Sequence, residues 1–248
     1  MRAVKVFPAV AAAGYFISIH YSGKGDGEMI KTRDDISRLT ITRMAIYYNA
    51  LKKMLDDGET MCLSIQIGQR TGISSSIIRK DLSCFGEFGT KGVGYRIDFL
   101  LQWIGEILGY NTVWNTIVVG MEMPLLSINC YQNFLPPGFR ITAVLDMNER
   151  NHGIMIPELG LAIDSMLNLE AVVCKKKVSI GLVAVLPEQA QLVTDRLVTA
   201  GVVGIANFTQ TQITVPENIA LTQINAGPMI SQLSYDLARP VPVLRSIV

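Results

Sequence analysis

The residues with the clearest chemical potential form a group of hydroxyls and cations between positions 75 and 91. The group consists of Ser75, Ser76, Arg79, Lys80, Ser83 and Lys91. Hydroxyl, guanidinium and ammonium groups donate hydrogen bonds to phosphate oxygens and base edges, so this set has the chemistry of a DNA-binding surface. Cations that are scattered along a chain usually belong to a solvated surface. Cations and hydroxyls that lie together on one structural element favour a DNA-binding surface instead.

The sequence around this group predicts a helix-turn-helix. Gly72 can supply the positive φ of a tight turn, and Ser64 and Ser74 can cap the helices before and after it. In the second helix an apolar stripe is predicted, made of Ile78, Leu82 and Phe85. The stripe leaves the hydroxyls and cations on the other faces, where a major groove can receive them.

A β-hairpin wing is predicted over residues 85–97, where glycines precede alternating residues and Lys91 lies at the tip. Cys84, just before it, is interpreted either as an oxidation sensor or as a small buried apolar residue, and the second interpretation is favoured. The apolar periodicity of residues 97–110 predicts an amphipathic helix, which can join two domains or simply pack in a core.

From Thr116 onward, strand-like and helical patterns alternate. Strands are predicted at 116–119, 141–145, 178–186, 202–206 and 219–224, and helices at 124–134, 157–168 and 187–200. Continuous apolar strands separated by helices indicate a parallel sheet that is covered on both faces, as in a Rossmann-like domain.

A candidate phosphate-binding turn follows the first of these strands. Its residues are Gly120, Met121, Glu122, Met123, Pro124 and Leu125. Glycine at the first position is typical of a dinucleotide fold, in which the helix N-terminus attracts a pyrophosphate. Asp146, at the end of the second strand, stands where such folds place an acid for the adenosine ribose, although an acid after a strand is also a common cap.

The composition excludes several other functions. The 22 basic and 21 acidic residues nearly balance, so no global field attracts nucleic acid or membrane. Four scattered cysteines and two histidines indicate neither a zinc cluster nor a disulfide framework, so a cytoplasmic, non-membrane protein without a metal is predicted. The apolar run within residues 1–28 is a poor match to a signal peptide, and those residues are interpreted as a tail or a misassigned extension.

The helix-turn-helix, the wing and the Rossmann-like pattern, in this order along the chain, resemble the redox-sensing transcriptional repressor Rex family. The resemblance runs from about residue 43 to 235 and rests on 78–83, the wing at 83–95, 204–208 and 215–216. It implies a homodimer on a palindromic double-stranded DNA operator, with two Rossmann-like domains that bind NADH or NAD+. In the family NADH releases the repressor and NAD+ permits DNA binding, so the implied function is redox-responsive repression rather than catalysis.

The resemblance also exposes departures at the nucleotide site. Glu122 and Leu125 replace the second and third glycines of the family's turn, which places bulk and negative charge where a pyrophosphate would lie. Val185, Asn225 and Met229 replace other residues usual in the family. An alternative is therefore the same DNA-binding dimer with lost or altered NADH sensing, and a remote one is a Rossmann-fold oxidoreductase, for which no hydride-transfer residues are evident.

The predicted organisation has four parts. Residues 1–28 form the tail or extension, 29–110 a winged helix-turn-helix domain, 111–227 the Rossmann-like domain, and 228–248 a C-terminal dimerisation helix with its tail. The resemblance implies that this last helix is exchanged between the two copies.

Overall fold

The chain divides into two compact units, residues 1–111 and residues 112–248. A computed structural model describes residues 36–86, 88–89, 93–120, 135–225 and 227–238. The predicted tail, Lys91 and the predicted helix at 124–134 lie outside the described residues.

The first unit contains four helices and a two-stranded sheet among its described residues. In chain order these are α1 (Arg38–Asp56), β1 (Met61–Cys62), α2 (Ser64–Thr71), α3 (Ser75–Ser83), β2 (Tyr95–Arg96) and α4 (Ile97–Ile107). The helix predicted from the periodicity of residues 97–110 is confirmed as α4, and its inward face packs into one core with α1, α2 and α3.

Helix α1 forms because its apolar residues recur at helical spacing and its first turn is capped. Ser37 accepts a hydrogen bond from the backbone N–H of Thr40 at 3.1 Å, which satisfies one of the free donors of that turn. Tyr47, Leu51 and Met54 are completely buried, as their spacing predicts. This helix is the platform on which the helix-turn-helix packs.

The predicted turn is confirmed at Gly72, whose φ of +73° ends α2. The two predicted capping serines behave differently from expectation. Leu63 occupies the cap position of α2 and Ser64 is its first helical residue, while Ser74 is at the cap of α3 but its hydroxyl lies 3.1 Å from that of Ser76. The prediction is therefore wrong at Ser64, whereas Ser74 is the N-cap residue of α3 as predicted, although its side chain makes no capping hydrogen bond.

The wing differs from the predicted hairpin. Within the described part of residues 85–97, β2 is the strand that forms. It pairs antiparallel with β1, which precedes the helix-turn-helix in the chain, and Cys62 lies opposite Tyr95. Phe85 and Phe88 hold the preceding segment against Trp103 of α4, with ring centroids 5.6 and 3.7 Å away. The local glycine pattern could not reveal this pairing because the partner strand is distant in sequence.

The second unit is built on a seven-stranded sheet. Its strands are β3 (Trp114–Val119), β4 (Phe139–Asp146), β5 (Met155–Ile156), β6 (Leu161–Ser165), β7 (Ile180–Val183), β8 (Gly204–Asn207) and β9 (Ala220–Gln223), in the spatial order β5-β6-β4-β3-β7-β8-β9. The described helices are α5 (Leu169–Lys176), α6 (Ala190–Thr199) and α7 (Gly227–Ala238). All neighbouring strands are parallel except β5, which runs antiparallel to β6.

Both faces of this sheet are covered, as continuous apolar strands predict. Ile117 and Val119 of β3 lie in one core with α5 and α6, while Val118 lies in a second core with Phe208. Strand order reverses at β3, which has β4 on one side and β7 on the other. In open parallel sheets, ligands bind in the crevice at the carboxyl ends of such a pair.

One predicted helix, at 157–168, is wrong. Gly160 has a φ of +63°, and the chain turns there so that Ile156 pairs with Leu161 and β6 continues beside β4. The helix begins only at Leu169, after a short 3-10 turn. Ile163 is buried against the sheet, and the alternation of apolar residues around it is that of a strand.

The strand predictions, and the helix prediction at 187–200, hold with shifted ends. The strand predicted at 178–186 is limited to β7, and the helix predicted at 187–200 opens with a 3-10 turn before α6. Of the described helices, none combines the length and apolarity needed to cross a membrane.

A buried amide holds the connection between β8 and β9. Asn207 is fully buried, and its amide nitrogen donates to the carbonyl of Thr211 and to Gln223 Oε1, each at 2.8 Å. Its amide oxygen accepts from the N–H of Thr209 at 3.0 Å and from the Thr209 hydroxyl at 2.8 Å. Gln223 donates in turn to the carbonyl of Thr209. The Asn207 side chain therefore holds the connection between β8 and β9 in one conformation, which the hydrogen bonds of the sheet alone would not do.

We expect Asn207→Ala to destabilise the second unit by about 1–3 kcal/mol, because it leaves several buried polar groups without partners. Asn168→Ala is a matched control, since Asn168 is exposed and makes one side-chain hydrogen bond to Asp164. Hydrogen exchange measured by mass spectrometry should accelerate in peptides from β8 and β9 for the first variant alone. Equal protection in both variants would contradict this role of Asn207.

Candidate DNA interface and nucleotide site

The predicted apolar stripe of α3 is confirmed: Ile78 and Leu82 are buried in the core of the first unit, as is Phe85 just beyond the helix. The hydroxyls and cations lie away from this core. Ser76, Arg79, Lys80 and Ser83 are exposed, and Ser75 is half-buried. The structure thus brings five of the six predicted DNA-binding residues together on one short helix.

Local hydrogen bonds engage some of these side chains. Arg79 Nη1 donates to Ser64 Oγ at 3.0 Å, so the guanidinium is tied to the first turn of α2. The Ser83 hydroxyl donates to the carbonyl of Lys80 at 2.8 Å. Within the described ranges, no carboxylate lies within 4.0 Å of the Lys80 ammonium. Lys80 is therefore available to a phosphate without first giving up an ion pair.

The orientation of α3 depends on a buried carboxylate that sequence reasoning missed. Asp81 is 3% exposed and receives two hydrogen bonds from Arg43 of α1, at 2.6 Å from Nε and 2.7 Å from Nη2. The hydroxyls of Tyr47 and Thr40 donate to the same carboxylate at 2.7 and 3.3 Å. The signal in the sequence was an acid three residues after Ile78, on the buried side of the predicted helix.

These contacts also set the ionisation of the group. Burial by itself raises the pKa of Asp81, but the hydrogen bonds from Arg43 and Tyr47 outweigh it, and the pKa lies below its ordinary value. The same pair raises the pKa of Arg43, through its hydrogen bond to Asp81. The pair is therefore ionised throughout the physiological pH range.

Cys84 follows α3 directly and is half-buried against the core. Its thiol donates to the carbonyl of Lys80 at 3.3 Å. This environment agrees with the interpretation of Cys84 as a small packing residue.

At the sheet, Gly120 takes the position expected for the first glycine of a phosphate-binding turn. Its φ is +91°, and a Cβ would lie 2.7 Å from Val185 Cγ1 and would also collide with the carbonyl of Ala184. Its N–H donates to the carbonyl of Leu145 at 2.8 Å. Gly120 therefore stands at the reversal of strand order between β3 and β7, where only glycine fits.

Asp146 ends β4 beside this point and is 6% exposed. Its two carboxylate oxygens accept hydrogen bonds from the N–H of Asn148 at 2.7 Å and from Asn151 Nδ2 at 3.0 Å. The carboxylate therefore holds the turn after β4, as the capping interpretation expects. Each oxygen keeps a second lone pair, so a ribose contact at Asp146 stays a prediction.

The other predicted nucleotide residues are divided between described and undescribed parts of the chain. Met121, Glu122, Met123, Pro124 and Leu125 lie outside the described residues. Val185 is buried against the Gly120 position, and Asn225 is exposed and accepts from the N–H of Gly227 at 2.9 Å. Met229 belongs to α7, but its side chain lies outside the described part.

The fold places the chain in the class of proteins that join a helix-turn-helix unit to a Rossmann-like unit. A family model described as "Putative DNA-binding protein N-terminus" matches residues 35–83, and one described as "CoA binding domain" matches residues 111–211. The two matches therefore fall on separate units.

Relatives that align with most of the chain identify the family within this class. The redox-sensing transcriptional repressor Rex of Carboxydothermus hydrogenoformans is 38% identical over 82% of this chain and 97% of its own length. That of Syntrophobacter fumaroxidans is 34% identical over 82% and 96%. The chain belongs to the Rex family of redox-sensing transcriptional repressors, whose members are regulators rather than enzymes.

Solved structures agree with this assignment. RSP, a Rex-family repressor, in complex with NAD+ and operator DNA is 30% identical, with a TM-score of 0.73 over 82% of this chain and 92% of that one. The RSP complex with NADH gives a TM-score of 0.72 at 28% identity, over 84% and 95%. The N-terminal helical domain and the mostly parallel sheet predicted from the sequence are thereby confirmed.

The Asp81 network generates a stability prediction. We expect Asp81→Asn to destabilise the first unit by roughly 3 kcal/mol, since it leaves Arg43 without a charged partner. Asp98→Asn is the control, because Asp98 is an exposed acid paired with exposed Arg96, and solvent screens such a pair so that its loss should leave stability nearly unchanged.

The pH dependence of the same variant follows from the direction of the pKa shift. Because the folded-state pKa is lowered, the stabilisation by Asp81 is complete above the unfolded-state pKa of about 3.9 and is lost as pH falls through the lowered value. Urea unfolding at a series of pH values should show a constant difference from wild type above about pH 5 and a shrinking one at lower pH. A difference that grows in acid would contradict the assignment.

Proposed function

We propose that this chain is a transcriptional repressor that binds operator DNA through α3. The observation that carries the proposal is the exposed set Ser76, Arg79, Lys80 and Ser83 on a helix whose other side is anchored by Asp81. An anchored helix presents its outer side chains in one geometry, which a major groove requires for base and phosphate contacts. The RSP complex with operator DNA supports this choice of partner.

We propose further that the repressor is a cytoplasmic homodimer and that α7 contributes to the contact between copies. Ile230, Leu233 and Leu237 recur at helical spacing and are 63%, 62% and 85% exposed. An apolar face of this size is costly in water and is satisfied when a second copy covers it. Two copies would also present two α3 helices to a two-fold symmetric operator.

The third part of the proposal is that the nucleotide site responds to the NADH/NAD+ state. Gly120 has the properties of the first glycine of a dinucleotide-binding turn, because its φ of +91° and its close packing on Ala184 and Val185 leave no room for a side chain. Asp146 stands on the adjacent strand, where a ribose-binding acid is expected. The RSP complexes with NAD+ and NADH support the same class of effector.

A second candidate is the same DNA-binding dimer with lost or altered nicotinamide sensing. The observation in its favour is in the sequence, where Glu122 and Leu125 stand at the second and third glycine positions of the turn. A carboxylate in front of a pyrophosphate opposes the attraction of the helix N-terminus. An operator shift assay with and without NADH and NAD+ tests DNA binding and effector response together, and unchanged binding with both nucleotides would favour the second candidate.

Paired variants test the role of the turn itself. We expect the double variant Glu122→Gly with Leu125→Gly to bind NADH more tightly than wild type, because it removes charge and bulk from the pyrophosphate position. Calorimetric titration with NADH measures the change, and Glu158→Gly, an exposed acid between β5 and β6, is the control. No gain in the double variant would argue that the turn is not the obstacle.

Removal of cations from α3 tests the DNA interface. We expect Arg79→Ala and Lys80→Ala to weaken operator binding, and each lost phosphate contact should reduce the slope of log K against log salt by about one. Fluorescence anisotropy with a selected operator duplex measures both quantities, and sedimentation should show two chains per duplex. Lys175→Ala, an exposed cation in the other unit, should bind as wild type does. Wild-type affinity and salt slope in both α3 variants would contradict the assignment of α3.

A further inference from the structure

Ile77 is the third residue of α3 and is 42% exposed. Neighbouring Ile78 is completely buried and belongs to the core of the first unit. The two isoleucines are 100° apart around the helix, so one packs inward and the other faces outward. Ile77 lies outside the set of hydroxyls and cations that the sequence predicts for DNA binding.

The outward face of α3 can be defined from the buried one. Ile78, Asp81 and Leu82 are buried, and Lys80 lies opposite them. Ile77 precedes Lys80 by three residues, so the two side chains are neighbours on the helix surface. Ile77 therefore borders the outward face of α3, which is the face that a DNA groove would meet.

Three of the polar side chains of α3 make hydrogen bonds within the protein. Arg79 donates to Ser64 on α2, Ser83 donates to a carbonyl of its own helix, and Ser76 lies within hydrogen-bond distance of Ser74. Ile77 is the large apolar side chain exposed near the start of α3, and helix-turn-helix proteins read bases with this part of the second helix.

The chemistry of an isoleucine restricts what it can read. It neither donates nor accepts a hydrogen bond, and the apolar group that a base pair presents in the major groove is the C5 methyl of thymine. Pressed against a donor or acceptor, Ile77 would deprive that group of water without replacing its hydrogen bond. Against a thymine methyl, both apolar surfaces leave water.

We propose that Ile77 is a specificity-determining residue that selects thymine at one position of each operator half-site by contact with its C5 methyl. The inference rests on the proposed function, since it assumes that α3 enters the major groove. It goes further by naming the base and the atom that one side chain reads.

The test removes the methyl alone. Operator duplexes are first selected from a random library with the full wild-type chain, and each thymine is then replaced singly by deoxyuridine. We expect one thymine per half-site at which this replacement weakens wild-type binding about four-fold, the effect of burying one methyl-sized group. In Ile77→Ala the thymine and deoxyuridine duplexes should bind with equal affinity at that position, as measured by fluorescence anisotropy.

The matched control is Ile46→Ala on α1, because Ile46 is also 42% exposed and lies on another helix. It should keep the wild-type response to deoxyuridine, and both variants should keep the wild-type melting temperature. If no thymine methyl affects wild type, or if Ile77→Ala loses the same factor on deoxyuridine as wild type, the role of Ile77 is overturned while the repressor function stands. If wild type selects no duplex at all, the proposed function fails and the role of Ile77 fails with it.

Discussion

The orientation of α3, the helix that we propose contacts DNA, depends on the buried carboxylate of Asp81. Helix α3 has only nine residues, which is too short to be stable alone in water. Its carboxylate receives the guanidinium of Arg43 and the hydroxyls of Tyr47 and Thr40, all from α1. These directed contacts determine how α3 is rotated, since apolar packing of Ile78 and Leu82 is less selective for rotation. Everything that the outer face offers to DNA, from Lys80 to Ile77, follows from that rotation.

The nucleotide-type unit depends on a different constraint, the close approach of two strands where the strand order reverses. Gly120 leaves β3 with a positive φ, directly against the carbonyl of Ala184 and the side chain of Val185. A side chain at position 120 would collide with the strand beside it, so the turn keeps its glycine. Positions 122 and 125 carry glutamate and leucine, so the chain keeps the first glycine of the family's turn and departs from the family at the second and third.

Much of the fold follows from the pattern of apolar residues. The stripe of α3, the helix α4 and the runs that became β3, β4, β7, β8 and β9 could be read from periodicity, because burial of one face or of a whole strand leaves a repeat in the sequence. The two failures of strand assignment have one cause. The segment 157–168 has enough apolar residues for a helix, but its chain turns at Gly160 and pairs with β4, and β2 takes its partner from 61–62. Pairing between distant segments leaves no local repeat.

By itself the sequence determined the two-unit organisation, the helix-turn-helix with Gly72 at its turn, the parallel sheet and the cations of α3. Each is a consequence of local periodicity or of the backbone conformation that a residue permits. Only the tertiary structure decided that Asp81 joins α3 to α1, that Arg79 is tied to Ser64, and that Asp146 holds the turn after β4. The physical reason is that a hydrogen bond is defined by the position and direction of both partners, and those positions exist only after the helices and strands have packed.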